Sequence, residues 1–130
     1  MYLTRHRLNV TCTASGATYE TEPFIGGLLY AVRFTKASAS AIASGATCVI
    51  SVVSIASAPD IAVSHDVLTF VGTSASQIIY PRREMQTTAG ASAGAMGGVM
   101  IPLVDDKIRV TVASGGASGK GTFDFLIEGR

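Results

Sequence analysis

The chain has 130 residues, enough for one domain with a real core, and 10 Lys and Arg against 9 Asp and Glu leave a formal net charge of +1. That balance lacks the concentrated positive field with which a sequence-independent nucleic-acid binder displaces counterions. Aromatics are 7% and Trp is absent, so Val, Ile, Leu and Ala must build the core, while 15% charged residues leave a weakly repelling surface suited to packing against other proteins.

The first strand is expected over residues 6–13, with Leu8, Val10 and Cys12 inward and Arg7, Asn9 and Thr11 outward. A turn at residues 14–17 follows, in which Gly16 supplies positive φ. Residues 18–22 form a short polar edge strand closed by Pro23, and Gly26-Gly27 marks a bulge or tight bend. Residues 28–35 are a firmer strand with Tyr30, Val32 and Phe34 on one face. The Ser-alternating alanines of residues 36–46 predict a loop rather than a helix. Residues 47–55 are β-branched and apolar, as in a strand buried on both faces. Ala58-Pro59-Asp60 is a turn, and strands at 67–71 and 77–80 flank residues 72–76, with Pro81 ending the second. Residues 87–100 hold four glycines among alanines and no usable period, which predicts a long loop within the domain. At the end, residues 107–113 and 122–127 alternate cleanly around a glycine-rich turn at 114–121, the pattern of a hairpin. Ile108, Val110 and Val112 share one face, and Phe123, Phe125 and Ile127 another. About seven to eight strands with mostly short turns give an all-β chain, a single β-sandwich domain of jelly-roll-like type over residues 1–130.

Nothing in the chain carries a catalytic motif. Gly119-Lys120 lacks the first glycine and the Ser or Thr of a phosphate loop, since Ser114 and Gly121 hold those positions. His65-Asp66 and abundant serines allow a triad on paper, but no Gly-x-Ser-x-Gly elbow occurs, so His6 and His65 read as surface or edge residues. Cys12 and Cys48 lie far apart in predicted strands, without metal-ligand spacing; a pairing between adjacent strands stays open. The first residues have no apolar stretch behind their basic side chains and do not read as a signal peptide, so the sequon at Asn9 is expected to stay unmodified. Residues 89–104 are apolar but short of a spanning length and broken by Pro102. The chain is therefore expected to be non-enzymatic, with no cofactor, no metal, no membrane and no specific nucleic acid as partner.

The second half resembles a family of small tailed-bacteriophage virion proteins. The similar stretches are Tyr80-Pro81-Arg82, Thr88-Ala89-Gly90-Ala91, Ile101-Pro102-Leu103, Ile108-Arg109-Val110, Ser114-Gly115-Gly116 and Gly121-Thr122-Phe123. Weaker likeness runs through Ala14-Ser15-Gly16-Ala17-Thr18 and residues 27–34, and little through 37–72. The resemblance implies a structural protein of the virion, assembled in the host bacterial cytoplasm. The first reading is a capsid decoration or minor capsid protein, bound to the major capsid protein or other virion neighbours as a homo-oligomer, taken as a trimer. The alternatives are a head-to-tail connector or neck ring, and a surface carbohydrate-binding module, which the scarcity of aromatics disfavours. The N-terminal segment, the basic pair beside Tyr80 and the 87–100 loop are the expected contact regions, which makes Arg5, Arg7, Tyr80, Arg82, Arg83, Met96 and Met100 the candidate interaction residues.

Overall fold

A computed structural model describes residues 2–54, 64–71, 75–84 and 98–129. Every regular element among them is a strand: β1 Leu3–Thr11, β2 Ala17–Glu20, β3 Leu28–Lys36, β4 Thr47–Ser54, β5 Ser64–Val71, β6 Gln77–Ile79, β7 Arg83–Glu84, β8 Gly98–Val99, β9 Ile101–Pro102, β10 Asp106–Ala113 and β11 Lys120–Glu128. Two antiparallel sheets are stacked as a sandwich. One runs β1–β11–β3–β6 with β9 also on β3, the other runs β2–β10–β4–β5, and β7–β8 is a small separate ladder. The pairing is nested. β1 pairs with β11, β2 with β10, β3 with β6 and β4 with β5. A long antiparallel hairpin rolled up on itself gives that order, so the sandwich is a jelly roll.

The core follows from alternation along the strands. Phe123, Phe125 and Ile127 of β11 and Ile108, Val110 and Val112 of β10 are all buried, as expected. Leu29, Val32 and Phe34 of β3 and Cys48, Ile50 and Val52 of β4 meet them in a single cluster. Burying each large apolar side chain stabilises the fold by about 1.5–3 kcal/mol. β4 is the inner strand between β10 and β5, and both its faces are covered from Ile50 to Val53, while Thr47 and Val49 are half-buried. At the β1–β2 edge the Tyr19 hydroxyl accepts from the Thr11 amide at 3.3 Å and lies 3.1 Å from the Thr11 carbonyl, tying the two sheets together.

β1 begins at Leu3 and ends at Thr11 where a strand over residues 6–13 was expected, and three further expectations change. The first concerns residues 107–127, which are not a hairpin: β10 and β11 lie in different sheets, so residues 114–119 form an arch across the sandwich. Each strand has one apolar face, and alternation is identical whether two such strands sit side by side or face each other across a core. The arch is held by its neighbours. Cys12 N–H donates to Gly119 O at 2.7 Å, Ser118 N–H to Cys12 O at 2.9 Å and Ala43 N–H to Gly115 O at 2.9 Å.

The second is Tyr30. The β3–β11 register slips so that Leu126 faces Ala31 while Ile127 faces Leu29. Tyr30 is the extra residue of this bulge, and Leu29 takes the fully buried seat expected for it. Just before it, Gly27 adopts φ +130 with its Cα so close to β11 that a Cβ would stand 2.7 Å from Ile127 Cγ2, which is the bend expected at Gly26-Gly27. The third is the end of the 87–100 loop, where Gly98–Val99 pairs with Arg83–Glu84. The turn at residues 58–60, residues 72–74 and residues 87–97 of the loop lie outside the described residues.

Candidate interaction face

Strand register writes the outer face of the β1–β11–β3–β6 sheet as rows of side chains. Arg7, Asp124, Arg33 and Ile78 stand in line across four strands. One step toward the chain termini the row is Arg5, Leu126 and Ala31, and beyond it Leu3, Glu128, Leu28 and Pro102. On the other side come Asn9, Thr122 and Thr35, with Thr122 Oγ1 donating to Asn9 Oδ1 at 3.1 Å. Among the described residues no strand packs across this face.

Asp124 organises its centre. Arg7 grips it with both prongs, Nε to Oδ1 at 2.8 Å and Nη2 to Oδ2 at 3.2 Å. The carboxylate is 1% exposed although it points to the outer side, because the half-exposed Arg7 lies over it. The hydrogen bonds from Arg7 hold its carboxyl below the usual carboxylate range against the opposing effect of burial, and the charges of Arg7, Arg5 and Arg33 add to this. The same pair raises the Arg7 guanidinium. Arg5 and Arg33 flank the pair as exposed guanidiniums, with no hydrogen-bond or ion-pair partner among the described residues.

Sequence reasoning singled out Arg5 and Arg7, and the structure brings them together. It missed Arg33 and Asp124. Arg33 was legible as the polar position between Val32 and Phe34, and Asp124 as the carboxylate between two inward phenylalanines. Their meeting depends on β11 lying between β1 and β3, which no local pattern records.

The second group of expected residues forms a brace at the β3–β6 edge of the same sheet. Tyr30 and Tyr80 meet edge to face at 5.7 Å, and the Arg82 guanidinium lies 5.5 Å and 5.9 Å from their ring centres. Arg82 Nη1 donates to Tyr30 O at 2.8 Å and to Pro81 O at 2.7 Å. Arg82 thus satisfies a carbonyl at the bulge, a structural duty, while Tyr80 is half exposed beside it. Met100 is half-buried between β8 and β9, on the far side of β3 and β11 from the strand that carries Arg5 and Arg7. The Arg83 side chain and Met96 lie outside the described residues.

Other groups stay apart. Ser51 Oγ donates directly to Asp66 Oδ1 at 2.8 Å, with no imidazole between them, and His6 packs edge-on against Phe24 at 4.7 Å. Cys12 and Cys48 are unpaired and buried, and burial, with Cys12 nearby, pushes the Cys48 thiol up to about 11. Among the described residues no three His, Cys, Asp or Glu side chains gather as a metal site. A shallow groove of about 400 Å³ lies between β1 and the end of β2, lined by Arg5 to Leu8 and Glu20 to Glu22. Comparison with protein-family models, curated proteins and solved structures finds no match for the chain.

Proposed function

We propose that this protein is a non-enzymatic structural component of a tailed-phage virion, a decoration or minor capsid protein that binds the head surface as an oligomer. The observation that carries the reading is the outer face of the β1–β11–β3–β6 sheet, across which no strand packs among the described residues, and which mixes guanidiniums with the exposed Leu3, Ile78 and Tyr80 and the half-buried Leu126. Arginine and tyrosine among exposed apolar side chains is the make-up of a protein-binding surface. The jelly roll supports it by analogy, because capsid proteins use that fold; lectins use it too, and a fold alone names no function. The resemblance of the second half to small phage virion proteins points the same way.

The experiment is the copy number per particle, from quantitative mass spectrometry of purified virions against the major capsid protein. A repeating head lattice gives a count on the order of hundreds, which is the expected result. A count of roughly a dozen would transfer the protein to a single neck ring, and its absence from particles would overturn the virion reading.

A further inference from the structure

The Arg7–Asp124 pair is saturated, yet the two guanidiniums beside it are not. Arg5 and Arg33 lie on opposite flanks of the buried carboxylate, both exposed and both without a hydrogen-bond or ion-pair partner among the described residues. On this face Asp124 is committed to Arg7 and Glu128 Oε2 is buried at the far row. Of the two carboxylates that share the β1–β2 groove with Arg5, Glu20 is taken by Arg109 and Glu22 makes no ion pair with Arg5. We propose that this face docks an acidic protein segment whose carboxylates pair with Arg5 and Arg33 on either side of the Arg7–Asp124 pair. The inference rests on the structural-protein reading and specifies the chemistry of its partner.

Charge selects the occupant. A second copy stacked face to face would set arginine against arginine, and its one central carboxylate is already taken. Nucleic acid fits less well, because Asp124 and the apolar Leu126 and Ile78 interrupt the positive row where a phosphate backbone would run. Carboxylates match the planar guanidinium fork, and apolar side chains of a polypeptide can rest on Leu3, Leu126 and Ile78. The spacing is also right. With strands about 4.8 Å apart and a rise of about 3.3 Å per residue, the Arg5 and Arg33 backbones stand roughly 12 Å apart. Carboxylates four residues apart on one face of an extended segment span about 13 Å.

The test uses fluorescently labelled poly-L-glutamate, with a single-stranded oligothymidylate as the second probe, titrated with the purified protein by anisotropy at low salt. Arg5→Gln/Arg33→Gln is expected to weaken poly-L-glutamate binding about tenfold, the range of two exposed ion pairs. Lys107→Gln, which removes one positive charge from the opposite sheet, is expected to change it little. Arg5→Lys/Arg33→Lys keeps the charges without the fork and should fall between wild type and the double glutamine variant. Equal weakening by Lys107→Gln, unchanged binding by the double variant, or absence of poly-L-glutamate binding would each overturn the proposal. Tighter binding of the oligothymidylate through the same two arginines would overturn it in favour of nucleic acid. Thermal melting confirms that the variants are folded. The two readings fail separately: normal incorporation of the double glutamine variant into particles sinks the docking face and leaves the virion reading, whereas arginine-dependent poly-L-glutamate binding by a protein absent from particles does the reverse.

Discussion

Two buried titratable residues make stability depend on pH in opposite directions. Asp124 releases its proton more readily folded than unfolded, because Arg7 hydrogen-bonds the carboxylate. The unfolded chain therefore binds more protons through the acid range, and the stabilisation is present above about pH 4 and lost as pH falls through the folded value. Cys48 is the reverse case. Its thiol is pushed up to about 11 by burial, so the folded chain keeps a proton that the unfolded chain gives up. Stability is fully present below the ordinary thiol range and declines from about pH 9 to about pH 11, by about 3 kcal/mol at most. Denaturant melts across pH should show both limbs. Asp124→Asn is expected to flatten the acid limb alone, converging with wild type once pH is below the folded value of Asp124, and Cys48→Ala the alkaline limb alone. An acid limb that survives Asp124→Asn would mean that another carboxylate governs it.

At the level of elements, the arch between β10 and β11 is the least ordinary connection and the most testable. Gly115 sits against Cys12 so closely that a Cβ would stand 2.7 Å from its Sγ and 3.1 Å from Val112 Cγ1. Gly115→Ala is therefore expected to cost about 1–3 kcal/mol by overpacking. In a Cys12→Ala background the sulfur is gone, and the cost should fall by at least about 0.5 kcal/mol, as contacting residues couple. Strict additivity of the two substitutions would show that the arch does not rest on Cys12. This connection also marks how far the sequence could be read. Strand positions and inward faces were legible, because alternation in residues such as Ile108, Val110 and Val112 is a local record of which side is buried. Which strand lies beside which was not. β10 and β11 are adjacent in the chain yet belong to opposite sheets, and the β3 bulge at Tyr30 arises from a register with β11 that neither strand encodes alone. The candidate face shows the same division. Arg7 follows from the alternation of β1, Arg5 was singled out only as part of the basic N-terminal segment, and Asp124 and Arg33 join them only through pairings that span the chain.

Those long-range pairings are the distinguishing property of the whole molecule. β1 and β11 lie at opposite ends of the chain and are paired along their full length, from Leu3 with Glu128 to Thr11 with Lys120. Nested pairing means that the last strand completes the first sheet, since β11 is the strand between β1 and β3. It also delivers Phe123, Phe125 and Ile127 to the core. A chain ending at Ala113 should be unfolded by circular dichroism and by the dispersion of its amide resonances. Order in the chain, as distinct from content, can be tested separately. Gly129 N–H donates to Tyr2 O at 3.2 Å, so the two ends already adjoin. Gly45 lies in an exposed turn where a Cβ would meet nothing within 4 Å. A circular permutant joined across the ends and opened between Ser44 and Gly45 keeps every pairing and should lie within about 1 kcal/mol of wild type. It turns β11 and β1 into a local hairpin and removes the loop-closure entropy of their pairing. Refolding is then expected to accelerate about tenfold in stopped-flow measurements, if that pairing forms in the transition state. An unchanged rate with unchanged stability would place the β1–β11 closure after the rate-limiting step.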